Sequence, residues 1–461
     1  MSDKQSTVAP ATWEREFTAW LAPFWAALGD RRRARWAPVY VRGLVGGGER
    51  KSVEPLAARV APEDYQQLHH FVNAAAWDPA PLEQVLAARA TAMLGGPDAV
   101  LIVDDTALLK QGRHSVGVAR QYAGAAGKTT NCQALVSLTL ARGEVPVGLA
   151  LRLFLPAEWT DDPARCEAAG VPEAWRAPRT KLEIALAELD RVVAAGVRFG
   201  CVLADAGYGA SAAFRQALSA RGLTWAVGIP RTQKVYPAEV TTRMPRRRAL
   251  GRPRTYPVAT HAREDAAVVL ARRRWRRLTW RDGTKGPLSA RFAAVRVKVG
   301  DGVRVAGGDK LPGEAAWLVG ERRDSGETKY YLTNHPERTP LAVLAAAVKA
   351  RWSCEQMHQQ LKEELGLDHF EGRSWRGLHH HALLTLISFA FLQHLRLQHV
   401  DAARGRGENA AGASWAAAGA LAAGDPPRAP RPHRRRHHPP LSDLPWLAPL
   451  PATRATIVLA E

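Results

Sequence analysis

The chain reads as an α/β protein: an all-helical N-terminal region, then an α/β core broken by a β-rich insertion. Three observations predict this. Apolar residues recur at helical spacing up to about residue 98. From residue 99, β-rich runs and amphipathic stretches follow in the order three strands, helix, strand, helix, strand. Alternating strands return between about 231 and 338, ahead of a last long helical stretch.

The helical region is marked by FTAWLAPFWAAL, LHHFVNAAAW and LEQVLAARATAML. Among them lies RRRARWAPVYVRGLV, and a basic, aromatic-bearing stretch between short helices suits docking on a DNA backbone through Arg32, Arg33, Arg35 and Arg42. LIVDD opens the core as a buried strand. CQALVSLTLAR and VPVGLALRLFLP are strands joined at Gly143-Glu144 as a hairpin. A helix over about 179–195, the strand FGCVLAD, the helix SAAFRQALSARG and the strand TWAVGIP complete the run. The insertion opens with the loop-like basic run MPRRRALGRPRTYP. It continues as RFAAVRVKV, AAWLVGERR and KYYLTNHP, with Asp324-Ser325-Gly326 turning between the last two. Trp317, in AAWLVG, reads as a core aromatic. LAVLAAAVKARWSCEQMHQQLKEELG reads as one long helix closed by Gly366. ALLTLISFAFL, from Ala382 to Leu392, is too short to cross a bilayer and reads as buried core, and the adjacent run His379-His380-His381 as a helix-surface cluster. Residues from about 401 are rich in Ala, Arg, Gly and Pro and read as a flexible basic tail.

Lys and Arg number 64 against 44 Asp and Glu, a net charge of +20, which favours a polyanionic partner, DNA or RNA first. The four cysteines, Cys132, Cys166, Cys201 and Cys354, form no CxxC or CxxxC spacing, so a zinc site is not expected. The N-terminus lacks the apolar stretch of a secretory signal. The expectation is a soluble cytoplasmic protein without a membrane partner.

Three acids stand out. Asp105 ends LIVDD, Asp205 ends CVLAD, and Glu355 lies in RWSCEQMHQQLK. Cutting a phosphodiester needs an activated water or hydroxyl and a stabilised leaving oxygen. Two divalent ions about 4 Å apart supply both, and such ions want carboxylate oxygens. At about 100° per residue, Arg351, Glu355 and Lys362 fall on one helical stripe, a carboxylate flanked by cations for phosphate. Asp104 and Asp105 point to opposite faces of a strand, so only one can face the metals. Gly207 and Gly209 flank Tyr208 and would let the backbone turn tightly beside Asp205. Arg113, His114, Arg120 and Lys128 form a basic segment able to grip phosphates near Asp105. Glu355 and His358 make a Glu-x-x-His pair of the di-iron type, but the second copy such a site needs is not found.

With these residues the chain resembles DDE-type insertion-sequence transposases, in the group with a β-strand insertion between the second Asp and the Glu. That group carries Y-x2-R-x3-E-x6-K; Arg351, Glu355 and Lys362 match its last three positions, and Val348 stands where it has Tyr. VDDT, HSVGVARQYAG, EWTDDP, ADAGYG and YYLTNHP also resemble its blocks, and the likeness covers roughly residues 30–395. It implies an RNase H-like catalytic core in which the ends of the first and fourth strands lie side by side and the last helix brings the third acid. It implies that the first acid directly precedes Thr, hence Asp105 before Thr106, and that Asp105, Asp205 and Glu355 are both catalytic and metal-binding, holding two Mg²⁺ (or Mn²⁺) ions. The partners implied are double-stranded DNA, as element terminal inverted repeats and target, and further copies of the chain, at least a dimer, in a synaptic complex. The domains expected are a DNA-binding region at 1–98, a catalytic domain at 99–400 with its insertion at about 231–338, and the tail at 401–461. Two alternatives stay open: a domesticated or decayed transposase that binds DNA without cutting, and an RNase H-like nuclease acting on RNA or junctions.

Overall fold

The computed structural model describes residues 10–405 apart from 246–254, 284–285 and 307. The tail beyond Gly405 and most of the basic run at 244–257 lie outside the described residues.

Five helices come first: α1 (Pro10–Ala27), α2 (Arg31–Val45), α3 (Val53–Val60), α4 (Tyr65–Asn73) and α5 (Ala80–Leu94). The arginine-rich stretch is itself α2. The Asp30 carboxylate caps it, accepting from the backbone N–H of Arg32 and Arg33 at 2.9 and 3.0 Å. Its apolar face buries Ala37, Tyr40, Val41 and Leu44.

The core strands are β1 (Val100–Leu109), β2 (Ala119–Ala123), β3 (Lys128–Arg142) and β4 (Val145–Leu153). Then come the short helices α6 (Ala157–Thr160), α7 (Pro163–Ala168) and α8 (Glu173–Arg176), followed by α9 (Lys181–Ala194), β5 (Cys201–Ala204), α10 (Ala206–Gly209), α11 (Ala212–Ala220) and β6 (Trp225–Ile229). β1 runs antiparallel to β3 and parallel to β5; β3 pairs antiparallel with β4 and β2, and β5 pairs parallel with β6. This order, β4-β3-β1-β5-β6 with only β3 reversed against its neighbours on both sides, is that of an RNase H-like core. Leu101, Ile102 and Val103 are fully buried because β1 is covered on both faces, which is why LIV reads as a continuous apolar run rather than an alternation. Gly143, at φ 60°, supplies the left-handed turn between β3 and β4. The short edge strand β2 was not foreseen; its pattern, with Arg120 and Tyr122 exposed, is too brief to stand out.

The insertion adds β7 (Lys234–Pro237), β8 (Thr242–Arg243), β9 (Val258–Ala259), β10 (Glu264–Asp265), α12 (Ala266–Ala271), β11 (Arg276–Gly283), β12 (Gly286–Val299), β13 (Ala315–Arg322) and β14 (Thr328–Thr333). β14 pairs antiparallel with β6, so the insertion continues the core sheet. Trp317 is half-buried and packs against the edge of the core; its indole N–H donates to the Pro336 carbonyl at 3.1 Å.

The long helix expected over 341–366 is two: α13 (Leu341–Lys349) and α14 (Trp352–Glu363). They meet in a tight turn at Ala350-Arg351, where the Ser353 hydroxyl takes the Ala350 carbonyl at 3.0 Å. The two side chains flanking the break are anchored in different places, Lys349 on buried Glu321 of β13 and Arg351 on β1. The chain ends its described course in α15 (Trp375–Gly405). Its stretch from Leu378 to Gln393 is buried on all sides, and α2, α4 and α5 pack against it. The three histidines are therefore not at the surface: His379, His380 and His381 are 8%, 2% and 0% exposed, and backbone carbonyls, a backbone N–H and the Tyr40 hydroxyl take their ring nitrogens. The N-terminal helices and the sheet thus share one continuous apolar core.

A buried ion network ties these parts together. Arg152 on β4 binds Glu83 of α5 and Glu188 of α9, each at 2.6 Å, and Arg191 of α9 binds both glutamates from the other side. The alternation of two cations and two anions leaves no buried charge unpaired.

Candidate active site

Strand alternation decides what each core acid meets. Asp104 pairs across the ladder with Ser137, and Ser137 and Thr139 on β3 touch Cys354, Met357 and His358 of α14. Asp104 therefore faces α14. Asp105, one residue on, faces the other way, toward α9 and α10.

On the α14 face, the Arg351 guanidinium joins the Asp104 carboxylate to that of Glu355, donating to both. Arg351 and Glu355 are four residues apart on the helical path, which puts them side by side. Asp205 follows β5, whose last residue Ala204 is level with Val103, so it comes level with Asp104 where the parallel pairing of β1 and β5 ends and β1 continues. Its carboxylate caps α10, accepting from the Tyr208 N–H at 3.2 Å. Burial pushes the Asp104 carboxyl up to about 6; Arg351 and the Asp105 N–H work against this, and the negative charges of Asp205 and Asp105 add to it. Burial opposes the charge of Arg351, but Asp104, Glu355 and Asp205 together outweigh it and hold the guanidinium more firmly protonated. Asp104 is 9% exposed, whereas the Glu355 side chain is 59% exposed, so the cluster opens toward solvent on the α14 side.

On the opposite face the Asp105 carboxylate accepts from Lys181 Nζ at 2.5 Å and from the Tyr208 hydroxyl at 2.5 Å. Burial first, and then Asp105, push the Tyr208 phenol well above its ordinary range. Gly209 has an ordinary negative φ, so turning freedom is not its role. A Cβ there would lie 2.1 Å from the Gly228 carbonyl oxygen; its absence lets α10 press against β6 and brings Tyr208 under β1. At Gly207 a Cβ would sit 3.1 Å from an Asp205 carboxylate oxygen.

The structure thus gathers Asp104, Asp205 and Glu355 around Arg351 and turns Asp105 away from Glu355. Lys362 is half-buried further along α14; burial lowers its pKa, and Asp368 is the opposing charge that favours its protonated form. Arg113, Arg120 and Lys128 are exposed around the β2–β3 hairpin, beyond the C-terminal end of β1. Of the α2 arginines, Arg42 is held bidentate by Glu14 at 3.0 and 2.7 Å, and Arg35 lies 3.6 Å from Asp64. Arg32 is exposed, whereas Arg33, one turn before buried Ala37, is half-buried and its charge reaches the buried His380.

Lys181 and Tyr208 were missed as site residues. Lys181 carried a signal: a lysine in the first turn of a helix opposes the helix dipole, although Thr180 and Glu183 cap that turn well. Such a local conflict marks a residue placed for another purpose.

The donor set suits hard divalent cations, since it offers carboxylate oxygens from three separate elements. A cationic group, the Arg351 guanidinium, already bridges two of them.

Residues 23–287, more than half of the chain, match the family model described as DDE superfamily endonuclease. The chain belongs to that superfamily. Its enzymes use divalent metals. Over 169 residues the chain is 30% identical to the probable transposase for insertion sequence element IS701 of Microchaete diplosiphon, covering 37% of this chain and 41% of that one. The match thus spans less than half the length of that relative. The piggyBac transposase, solved as a synaptic complex with hairpin DNA, matches 84% of this chain and 68% of its own at 10% identity, with a TM-score of 0.38, too low to bear on the fold. Among the described residues no helix is long and apolar enough to cross a membrane.

Proposed function

We propose that this DDE endonuclease is an insertion-sequence transposase, which binds the terminal inverted repeats of its element, cleaves the element ends and joins the 3′-hydroxyls to target DNA. The observation that carries the reading is the Arg351 clamp, which joins Asp104 to Glu355 beside Asp205. In this reading Asp104, rather than Asp105, is the first acid, and Asp104, Asp205 and Glu355 would hold two Mg²⁺ or Mn²⁺ ions. Bound there, the ions would activate the attacking water or 3′-hydroxyl and stabilise the leaving oxygen.

The side chains divide the remaining work. Arg351 neutralises the carboxylates until cations arrive, and is then free to reach a phosphate oxygen. Asp105, with Lys181 and Tyr208, ties the middle of β1 to the α10 turn, and so fixes the position of Asp205. Arg113, Arg120 and Lys128 carry exposed positive charge next to the open side of the sheet, where a phosphate backbone would run, with Lys362 further along α14. Arg32 and Arg33, with Arg35 and Arg42 once released from their acids, would supply a second, more distant contact. Holding two element ends together would require at least a dimer.

The test uses supercoiled DNA carrying the element ends, with Mg²⁺ or Mn²⁺. Cleavage at the ends that disappears in Glu355→Gln and Asp104→Asn while DNA binding persists supports the reading. Tight binding by the unaltered chain with no cutting would make it a non-catalytic DNA-binding protein. Cutting that ignores the element ends would make it a general nuclease.

A further inference from the structure

We propose that Asp104, Cys354 and His358 form a second kind of metal site, one that takes a thiophilic ion such as Zn²⁺ in place of the hard ions that cleavage uses. One ligand atom from each of the three residues lies within 4.8 Å of the other two. Cys354 Sγ and His358 Nε2 are 3.5 Å apart. With Zn–S near 2.3 Å and Zn–N near 2.0–2.1 Å, a tetrahedral zinc ion would hold those two atoms about 3.6 Å apart. The pair is therefore set for the ion without a change of helix geometry.

The setting favours the same conclusion. Cys354 and His358 are four residues apart on the inner face of α14, where both side chains are buried and their rotamers are fixed by packing. Asp104 reaches them from β1, an element held by strands on both sides. The polar atoms around them are Ser137 Oγ, 2.9 Å from His358 Nε2, and Thr139 Oγ1, 3.3 Å from Cys354 Sγ. Sulfur and imidazole nitrogen discriminate against Mg²⁺ and toward Zn²⁺, the reverse of an all-carboxylate set. One thiolate, one carboxylate and one neutral imidazole cancel the charge of a divalent ion, which a buried site requires. On binding, the Cys354 S–H bond breaks, its proton passes to solvent, and the sulfur electron pair forms the bond to the metal. Asp104 exchanges the Arg351 guanidinium for the ion. The spacing Cys-x3-His escapes any search for paired cysteines, so the sequence did not reveal it.

The functional consequence rests on Asp104 being the first catalytic acid: an ion seated on Cys354 and His358 would draw Asp104 away from Asp205 and Glu355. Zn²⁺ would then inhibit a Mg²⁺-dependent reaction by competing for one shared ligand.

The experiment titrates the metal-free full chain with Co²⁺ as a coloured substitute for Zn²⁺. The expected result is a thiolate-to-cobalt charge-transfer band that saturates at one ion per chain, is erased by Zn²⁺ and survives excess Mg²⁺. Cys354→Ser removes the band, His358→Gln weakens Co²⁺ binding at least about tenfold, and Cys166→Ser, in α7, leaves it intact. Circular dichroism melting establishes that each variant is folded, and His358→Gln carries the test alone if Cys354→Ser is not. Absence of the band in the unaltered chain, or its persistence in folded Cys354→Ser, overturns the proposal. A band in a chain that never cuts DNA would sink the transposase reading and leave this site standing; Mg²⁺-dependent cutting without a band would do the opposite.

Discussion

The two faces of β1 offer its two adjacent acids opposite surroundings. Asp104 looks onto α14, where it meets a cation shared with Glu355, a thiol and an imidazole. Asp105 looks onto α9 and α10, where a lysine and a phenol each donate to its carboxylate. The same residue type, one position apart, is left convertible on one face and fixed on the other. A carboxylate balanced by a guanidinium from a helix end can exchange partners. One that accepts two hydrogen bonds at 2.5 Å from separate elements acts as a brace.

The sharpest way to break this contrast is to neutralise each acid in turn. Asp104→Asn is expected to lower end cleavage by at least about 10³-fold, measured as nicking of element-bearing plasmid, whereas Asp105→Asn lowers it about tenfold, corresponding to about 1.4 kcal/mol of lost positioning. Equal losses, or the reverse order, would return the first acid to Asp105. Outside the site, Glu83→Ala leaves Arg152 partly unpaired in the core and is expected to cost about 3–5 kcal/mol in chemical denaturation. A loss below 1 kcal/mol would mean that Arg152 does not tie α5 to β4.

A third prediction concerns acid. Burial pushes His379 and His381 down to about 3 and about 4 from an ordinary value of 6.5. Below pH 6.5 the unfolded chain binds protons that the folded chain refuses, so stability falls as pH drops toward 4, with a slope approaching about 1.4 kcal/mol per pH unit for each imidazole. Thermal melts between pH 7 and 4.5 measure it, and a His379→Gln variant that stays folded should show a shallower decline. The smallest expected effect is Tyr208→Phe, about 1 kcal/mol of stability with binding of DNA unchanged; a loss of cleavage beyond tenfold would show that the phenol does more than brace Asp105.

The sequence made the scaffold plain where physics writes it in runs. LIVDD and CVLAD are apolar because their strands are buried on both faces, and the acids come where those runs stop: Asp205 just past the end of β5, Asp104 and Asp105 where β1 outruns its pairing with β5. Strand period 2 revealed that Asp104 and Asp105 diverge, but it carries no information on which face the last helix will cover. That depends on α14, more than two hundred residues away. The break at Arg351 escaped notice because Ala350 and Arg351 are good helix formers; the turn is imposed by anchors on β1 and β13, not by local propensity. The histidine run looked polar, yet a neutral imidazole given a carbonyl for its N–H packs as a flat ring, as His380 does against Trp77 with ring centres 3.5 Å apart.

The junction between β6 and β14 constrains how this protein could have been shortened or enlarged. Excising residues 231–338 would not simply remove an appendage. It would bare the backbone donors and acceptors of Trp225–Ile229, a stretch whose side chains are all buried, and so create a sticky rim inviting other chains to pair. Any relative lacking those strands must shield that rim by other means, with a helix laid across it, a charge turned inward or a neighbouring subunit.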